Sequence, residues 1–166
     1  MTVLKTPRLD LREFEVDDAL FFYELNNDPL VVAYTGDLPF ESVAASRRFI
    51  KKYDHYSKHG YGRWMVILRK TGEPIGFCGL KKHHDGYIDL GYRIIQSEWG
   101  KGYATEAAQA CVAYGFSHLG MDEIIGRTAM ENPLSIRVLE KVGMKFWKHA
   151  LCEGIEDAVY YRIKKA

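Results

Sequence analysis

The order in which two hydrophobic periods follow one another along 166 residues predicts an α+β fold. The expected form is one domain over residues 1–166, with a mostly antiparallel sheet covered by about four helices. Three observations carry it. Stretches of period 2 occupy residues 9–14 and much of 64–94. Turn signals separate them at Lys70-Thr71-Gly72-Glu73-Pro74 and His84-Asp85-Gly86. From Ala104 onward the spacing changes to three and four residues.

Leu9-Asp10-Leu11-Arg12-Glu13-Phe14 alternates as a half-buried strand does. Asp17 and Asp18 then open an apolar-rich helix that stops at Asn26-Asn27-Asp28-Pro29. A second helix is expected over residues 41–57, with Val43, Phe49, Ile50 and Tyr53 spaced by helical turns and Gly60 and Gly62 ending it. The middle is a three-stranded meander over residues 64–68, 75–80 and 87–94. Ala104, Ala107, Ala108, Cys111, Val112 and Gly115 then mark an amphipathic helix with a small-residue face. Residues 123–128 suit a strand and 135–142 a helix, with Gly143 placed for a left-handed cap. Residues 146–151 and 159–163 read as the last two strands. Neither a repeat nor a linker interrupts the order.

Composition narrows the functional classes. Hydrophobic residues are 47% and charged residues 27%, enough for one continuous core. Lys plus Arg number 23 against 22 Asp plus Glu, a formal charge of +1. No bulk field therefore draws in nucleic acid or a membrane, and an anionic ligand needs a local cradle. Cys78, Cys111 and Cys152 are odd in number, form no CxxC pair and read as small core residues. Without an apolar signal stretch or a run of about 18 apolar residues, a cytoplasmic location with reduced thiols is expected.

The chemistry points to Ile94-Ile95-Gln96-Ser97-Glu98-Trp99-Gly100-Lys101-Gly102-Tyr103-Ala104-Thr105, where a strand ends, glycines turn the chain and a helix begins. Glycines permit positive φ and close ligand approach, and the free N–H groups of a first helical turn attract a pyrophosphate. Lys101 adds charge at the rim. A P-loop would need GxxxxGK[ST], which this spacing lacks. A dinucleotide site would need a third glycine where Thr105 stands and an acid about 20 residues on, where the next strand ends at Arg127-Thr128. A purely structural turn stays open.

Trp99-Gly100-Lys101-Gly102-Tyr103-Ala104-Thr105-Glu106-Ala107 resembles the acetyl-CoA pyrophosphate motif of the GNAT superfamily of N-acetyltransferases. The likeness is greatest to the branch of the RimJ and RimL enzymes, which acetylate ribosomal-protein N-termini. Asn132-Pro133-Leu134-Ser135, with the helix running to Gly143-Met144, resembles a second motif of that branch. Thr6-Pro7-Arg8-Leu9-Asp10-Leu11-Arg12 is similar to its opening strand, and Gly72-Glu73-Pro74-Ile75-Gly76 and Leu90-Gly91-Tyr92 to its meander. Two positions depart from the pattern. Trp99 stands where Arg or Gln is usual, and Leu139 where many members carry a tyrosine acid.

The resemblance implies a GNAT-like domain whose sheet splays in the middle, with acetyl-CoA as cosubstrate and no metal. Pantetheine would lie between the strand ending at Ile94 and Ile95 and the strand over residues 123–128. A backbone N–H near Ile95 would polarise the thioester carbonyl. Gly100, Lys101, Gly102, Tyr103, Ala104 and Thr105 would bind the pyrophosphate, and Asn132 the pantetheine arm. Ser135 is the candidate to serve the leaving thiolate, and Asp89 the candidate base. Asn132 also suits an N-cap and Asp89 an ordinary strand carboxylate. The acceptor would be a protein N-terminus or a small-molecule amine, with a homodimer possible through the last strands. A catalytically silent acyl-CoA-binding module on the same fold is the competing reading. His55 and His59, four apart on a lysine-rich face, read as a solvated helix surface, and His83, His84 and Asp85 as a polar turn.

Overall fold

A computed structural model of the chain describes residues 2–35, 37–152 and 155–166. Eight strands form a single mixed sheet: β1 (Thr2–Lys5), β2 (Leu9–Arg12), β3 (Arg63–Leu68), β4 (Glu73–Lys82), β5 (Ile88–Ile94), β6 (Glu123–Ala129), β7 (Lys145–Cys152) and β8 (Ile155–Lys164). Their spatial order is β1-β2-β3-β4-β5-β6-β8-β7. Every neighbouring pair is antiparallel except β5 and β6. Four helices of nine or more residues cover the two faces: α1 (Ala19–Asn27), α3 (Val43–Lys52), α5 (Tyr103–Ser117) and α6 (Pro133–Lys141). Two shorter ones, α2 (Pro29–Val32) and α4 (His55–His59), complete the expected α+β domain.

Strand alternation sorts the core onto the two faces. Leu9, Leu11, Trp64, Val66, Cys78, Leu80 and Leu90 join Ala107, Ala108, Cys111 and Leu139 beneath α5 and α6. Met65 and Phe77 point the other way and meet Phe22, Leu25 and Ile50 of α1 and α3. The Cys78 and Cys111 side chains are fully buried, as expected of small core residues. The side chain of Cys152 lies outside the described residues.

Two expectations need correction. The strand anticipated over residues 9–14 ends at Arg12, because that guanidinium turns to grip Asp18 with two bonds of 2.8 Å. The residues before it form an additional strand, β1. The helix expected over residues 41–57 is two helices. Its start is delayed to the cap, where Ser42 accepts from the Ala45 N–H. Its end comes at Tyr53, which leaves helical geometry (ψ 103°) so that its hydroxyl accepts from the Arg63 N–H at 2.8 Å. Gly60, left-handed at φ 80°, then closes α4.

Candidate active site

β5 and β6 meet at a single bridge, Asp89 opposite Ile125. Beyond it, residues 90–94 and 126–129 do not pair with one another, although β5 stays bonded to β4 and β6 to β8. A sheet that opens between two strands leaves backbone donors and acceptors facing the gap. On β5 the alternation decides which ones. The Ile95 N–H donates to the Ile75 carbonyl at 2.8 Å, toward β4. The Ile94 N–H therefore points the other way, into the gap, while the Ile94 carbonyl accepts from the Trp99 indole at 2.7 Å. Of the two N–H groups near Ile95, that of Ile94 is left toward the gap, while that of Ile95 is spent within the sheet.

The turn from β5 to α5 has the geometry its glycines foretell. Gly100 and Gly102 have φ of 77° and 83°, a region that disfavours any side chain. Around Gly100 a Cβ would meet nothing within 4 Å, so the loop faces open space. Gly102 is the N-cap of α5 and supplies no side-chain acceptor, leaving the N–H groups of Tyr103, Ala104 and Thr105 without the usual cap. Lys101 lies at the rim, its ammonium 3.0 Å from Glu98. Tyr103 is buried under the Arg8 guanidinium, 4.4 Å from its ring centre. It can offer its backbone to a ligand but not its phenol.

The loop is clamped from the other end of the chain. Glu106, in the first turn of α5, accepts from the Thr6 hydroxyl at 2.5 Å and from the Arg8 N–H and Nε at 3.0 and 2.7 Å. Arg8 also donates to the Lys101 carbonyl at 2.9 Å. Burial raises the Glu106 pKa, but the bonds from Thr6 and Arg8 outweigh it and hold the carboxyl below its usual range.

Across the gap, Asn132 caps α6 by accepting from the Ser135 N–H at 3.3 Å, and Pro133 takes the first turn. The Ser135 hydroxyl lies 2.7 Å from the phenol oxygen of Tyr92 on β5, and that phenol oxygen is also 3.1 Å from the Ser135 carbonyl. Sequence reasoning missed this contact. Leu-Gly-Tyr was visible as a motif, but nothing in its spacing says that Tyr92 spans to a helix 43 residues later. Burial pushes the Tyr92 phenol above its ordinary range, so it stays protonated. Leu139 offers no chemistry. It is 2% exposed and fills the space left by Gly126, where a Cβ would lie 2.6 Å from its side chain.

Asp89, the candidate base, is engaged in ion pairs. It lies at the closed end of the gap, 7% exposed, with Oδ1 3.0 Å from Arg63 and 2.9 Å from His83 Nε2. Gly91 makes room for that arginine, since a Cβ there would come within 2.5 Å of it. Burial pushes the Asp89 pKa up, but Arg63, His83 and Arg127 overcome it and hold the group at about 2. So weak a base takes few protons from an amine.

On the opposite face, α1, the segment after it and the start of β4 line an open pocket of about 470 Å³ that includes Ile95 in its wall. Glu24, Asp28 and Glu73 line it. These carboxylates come from distant parts of the chain, so no local motif announces them. Nearby, Arg93 ties β5 to Asn26 and Asp37. The His83, His84 and Asp85 turn is polar as expected, with Asp85 bonded to the Tyr87 N–H and 3.3 Å from Arg127. His55 is less solvated than expected: its Nε2 accepts from the Lys82 N–H at 3.0 Å. Among the described residues no group of three His, Cys, Asp or Glu side chains could hold a metal ion, and no helix is long and apolar enough to cross a membrane.

Known proteins resemble this chain in sequence and fold. Residues 8–145 match the acetyltransferase (GNAT) domain family. The chain is 34% identical to the uncharacterized N-acetyltransferase p20 of Bacillus licheniformis, over 95% of this chain and 89% of that one. It is 25% identical to a spermidine N(1)-acetyltransferase of Vibrio cholerae, over 95% and 91%. Among solved structures, a GNAT-family acetyltransferase from Bacillus anthracis superposes with a TM-score of 0.84 at 30% identity, covering 99% of this chain and 98% of the other. The chain belongs to the GNAT family and is an acetyl-CoA-dependent N-acetyltransferase.

Proposed function

We propose that this GNAT enzyme transfers the acetyl group of acetyl-CoA to a primary amine by direct attack in a ternary complex. The observation that carries the reading is the gap between β5 and β6, with an uncapped helix N-terminus at its mouth and Ser135 on its far side. The backbone of residues 100–105 would hold the pyrophosphate, with Lys101 adding charge. Asn132 would reach the pantetheine arm while keeping its cap, and Ile94 and Ile95 would form the wall. The Ile94 N–H would stabilise charge on the carbonyl oxygen, an effect worth roughly 3 kcal/mol for one donor. Ser135 would serve the departing sulfur with its hydroxyl, directly or through water. Both buried thiols are poor nucleophiles; burial and its neighbour Cys78 push Cys111 well above the usual thiol range.

With Asp89 engaged in ion pairs, the reading favours an amine that is already partly neutral. An α-amino group (pKa ~7.7–8.0) is roughly a tenth unprotonated at pH 7, and a lysine side chain (~10.4) less than about a thousandth. This agrees with the RimJ and RimL-like character of the sequence. The cavity lined by Glu24, Asp28 and Glu73 supports a second reading, a cationic small-molecule amine, the class that the spermidine-named relatives acetylate. Cys78 and Cys111, free with sulfurs 3.7 Å apart, fit a reducing, cytoplasmic setting. The exposed Phe146 and Leu151 on edge strand β7 fit a homodimer.

Incubation with acetyl-CoA and a panel of an α-amino peptide, a lysine side chain and spermidine, following thiol release at pH 7, tests the function. Release that requires an amine is expected, with the peptide faster than the lysine. Binding of acetyl-CoA without transfer to any amine would make the chain a silent acyl-CoA module.

A further inference from the structure

We propose that Tyr92 is a positioning residue for the leaving-group step, acting through the hydroxyl of Ser135. The inference rests on the reading that Ser135 serves the departing sulfur. Tyr92 shares a strand face with Leu90 and Ile94, and its ring packs into the core beneath α5 and α6. Its phenol crosses to α6 where β5 and β6 no longer pair, and lies 2.7 Å from Ser135 Oγ and 3.1 Å from the Ser135 carbonyl. With Leu139 buried and apolar, the phenol that α6 lacks arrives instead from the facing strand.

Two hydrogen-bond arrangements fit these distances. In one, the serine hydroxyl donates to the phenol and the phenol donates to the Ser135 carbonyl. In the other, the phenol donates to Ser135 Oγ, and the serine proton is free to point at a ligand. Rotation of two O–H bonds interconverts them without moving a heavy atom. The second arrangement polarises the serine hydroxyl, because a donor that accepts a bond becomes a better donor.

In the reaction the amine nitrogen bonds to the acetyl carbon, the C–S bond breaks and its electron pair stays on sulfur. The amine proton leaves to water, and the thiolate is protonated from water afterwards. Tyr92 transfers no proton. A thiolate whose conjugate acid lies near ~8.5 is too weak a base to draw one from a phenol that burial holds above its usual ~10. Its contribution is a hydrogen bond to Ser135, which in turn donates to the sulfur as charge develops.

Steady-state kinetics of Tyr92→Phe, Ser135→Ala and the double variant, with acetyl-CoA and saturating amine, test the assignment. Tyr92→Phe keeps the ring and is expected to lower kcat about 5- to 10-fold with an unchanged KM for acetyl-CoA. In the Ser135→Ala background the same change should alter kcat less than about twofold, as coupled partners do. Ser135→Thr, which retains a hydroxyl, should keep its dependence on Tyr92. A wild-type kcat in Tyr92→Phe, beside a slow Ser135→Ala, overturns this proposal alone. An equal fall in both backgrounds overturns it too, since the phenol would then act on the fold. A fully active Ser135→Ala would instead remove the role of Ser135, and that of Tyr92 with it.

Discussion

The two ends of the β5–β6 boundary are a few residues apart and are built in opposite ways. At the closed end, Asp89 meets Ile125 across the bridge, and its carboxylate is held between Arg63 and His83 in a site from which water is nearly excluded. At the open end, Ile94 directs an N–H into unpaired space, and the Tyr92 phenol reaches across to Ser135. One end spends its polar groups on each other; the other keeps them for a ligand. A parallel pair of strands left open is tolerable only because something closes it firmly nearby.

If that division holds, damage at the closed end should appear in folding and damage at the open end in turnover. The largest effect is expected from Asp89→Asn. It leaves the half-buried Arg63 without its counter-charge, and should cost about 2–3 kcal/mol of stability in denaturant unfolding. The pH dependence has a definite sign. The folded pKa of about 2 lies below the usual 3.8, so the contribution is complete above pH 3.8 and disappears as pH falls through about 2. Asp89→Asn should flatten that part of the profile. A folded Asp89→Asn variant whose kcat alone collapses would return Asp89 to the role of base.

Ser135→Ala comes next, with kcat expected to fall about 10- to 100-fold, roughly 1.4–2.7 kcal/mol, and little change in stability. A KM rise larger than the kcat loss would make Ser135 a residue that holds the cosubstrate. Gly102→Val forces a β-branched residue to positive φ at the pyrophosphate loop, at a folding cost of about 1–2 kcal/mol. Acetyl-CoA affinity by calorimetry should fall about tenfold or more, and unchanged binding in the folded variant would move the site elsewhere. The smallest effect is none. After mixing with acetyl-CoA alone, mass spectrometry should find no stoichiometric adduct on Cys78 or Cys111, and an adduct that amine then discharges would refute direct transfer.

Much of the open end was legible in sequence. Gly100-Lys101-Gly102 between a strand and a helix, and Asn132-Pro133 before another, are local signals, and local signals survive translation into structure. The closed end was not legible. Asp89 lies on β5, Arg63 on β3 and His83 in the turn after β4, so their pairing depends on register rather than spacing. Tyr92 was hidden for the same reason, and so were the carboxylates of the Ile95 cavity. Which of two adjacent N–H groups near Ile95 faces the gap is a matter of parity: a single residue along a strand reverses the direction of its N–H. Tyr53 ended its helix early for a tertiary hydrogen bond that helical periodicity cannot report.

The Thr6 and Arg8 clamp on Glu106 also bears on the order in which the molecule assembles. Its bonds join residues 98 and 100 positions apart. Contacts of such sequence separation form late, because the intervening chain must first be organised. During synthesis, therefore, the Gly100–Gly102 loop lacks this clamp until the turn between the first two strands has met the central helix. The segment that makes the enzyme recognisable in one short stretch of sequence is, in time, among the last to acquire its form.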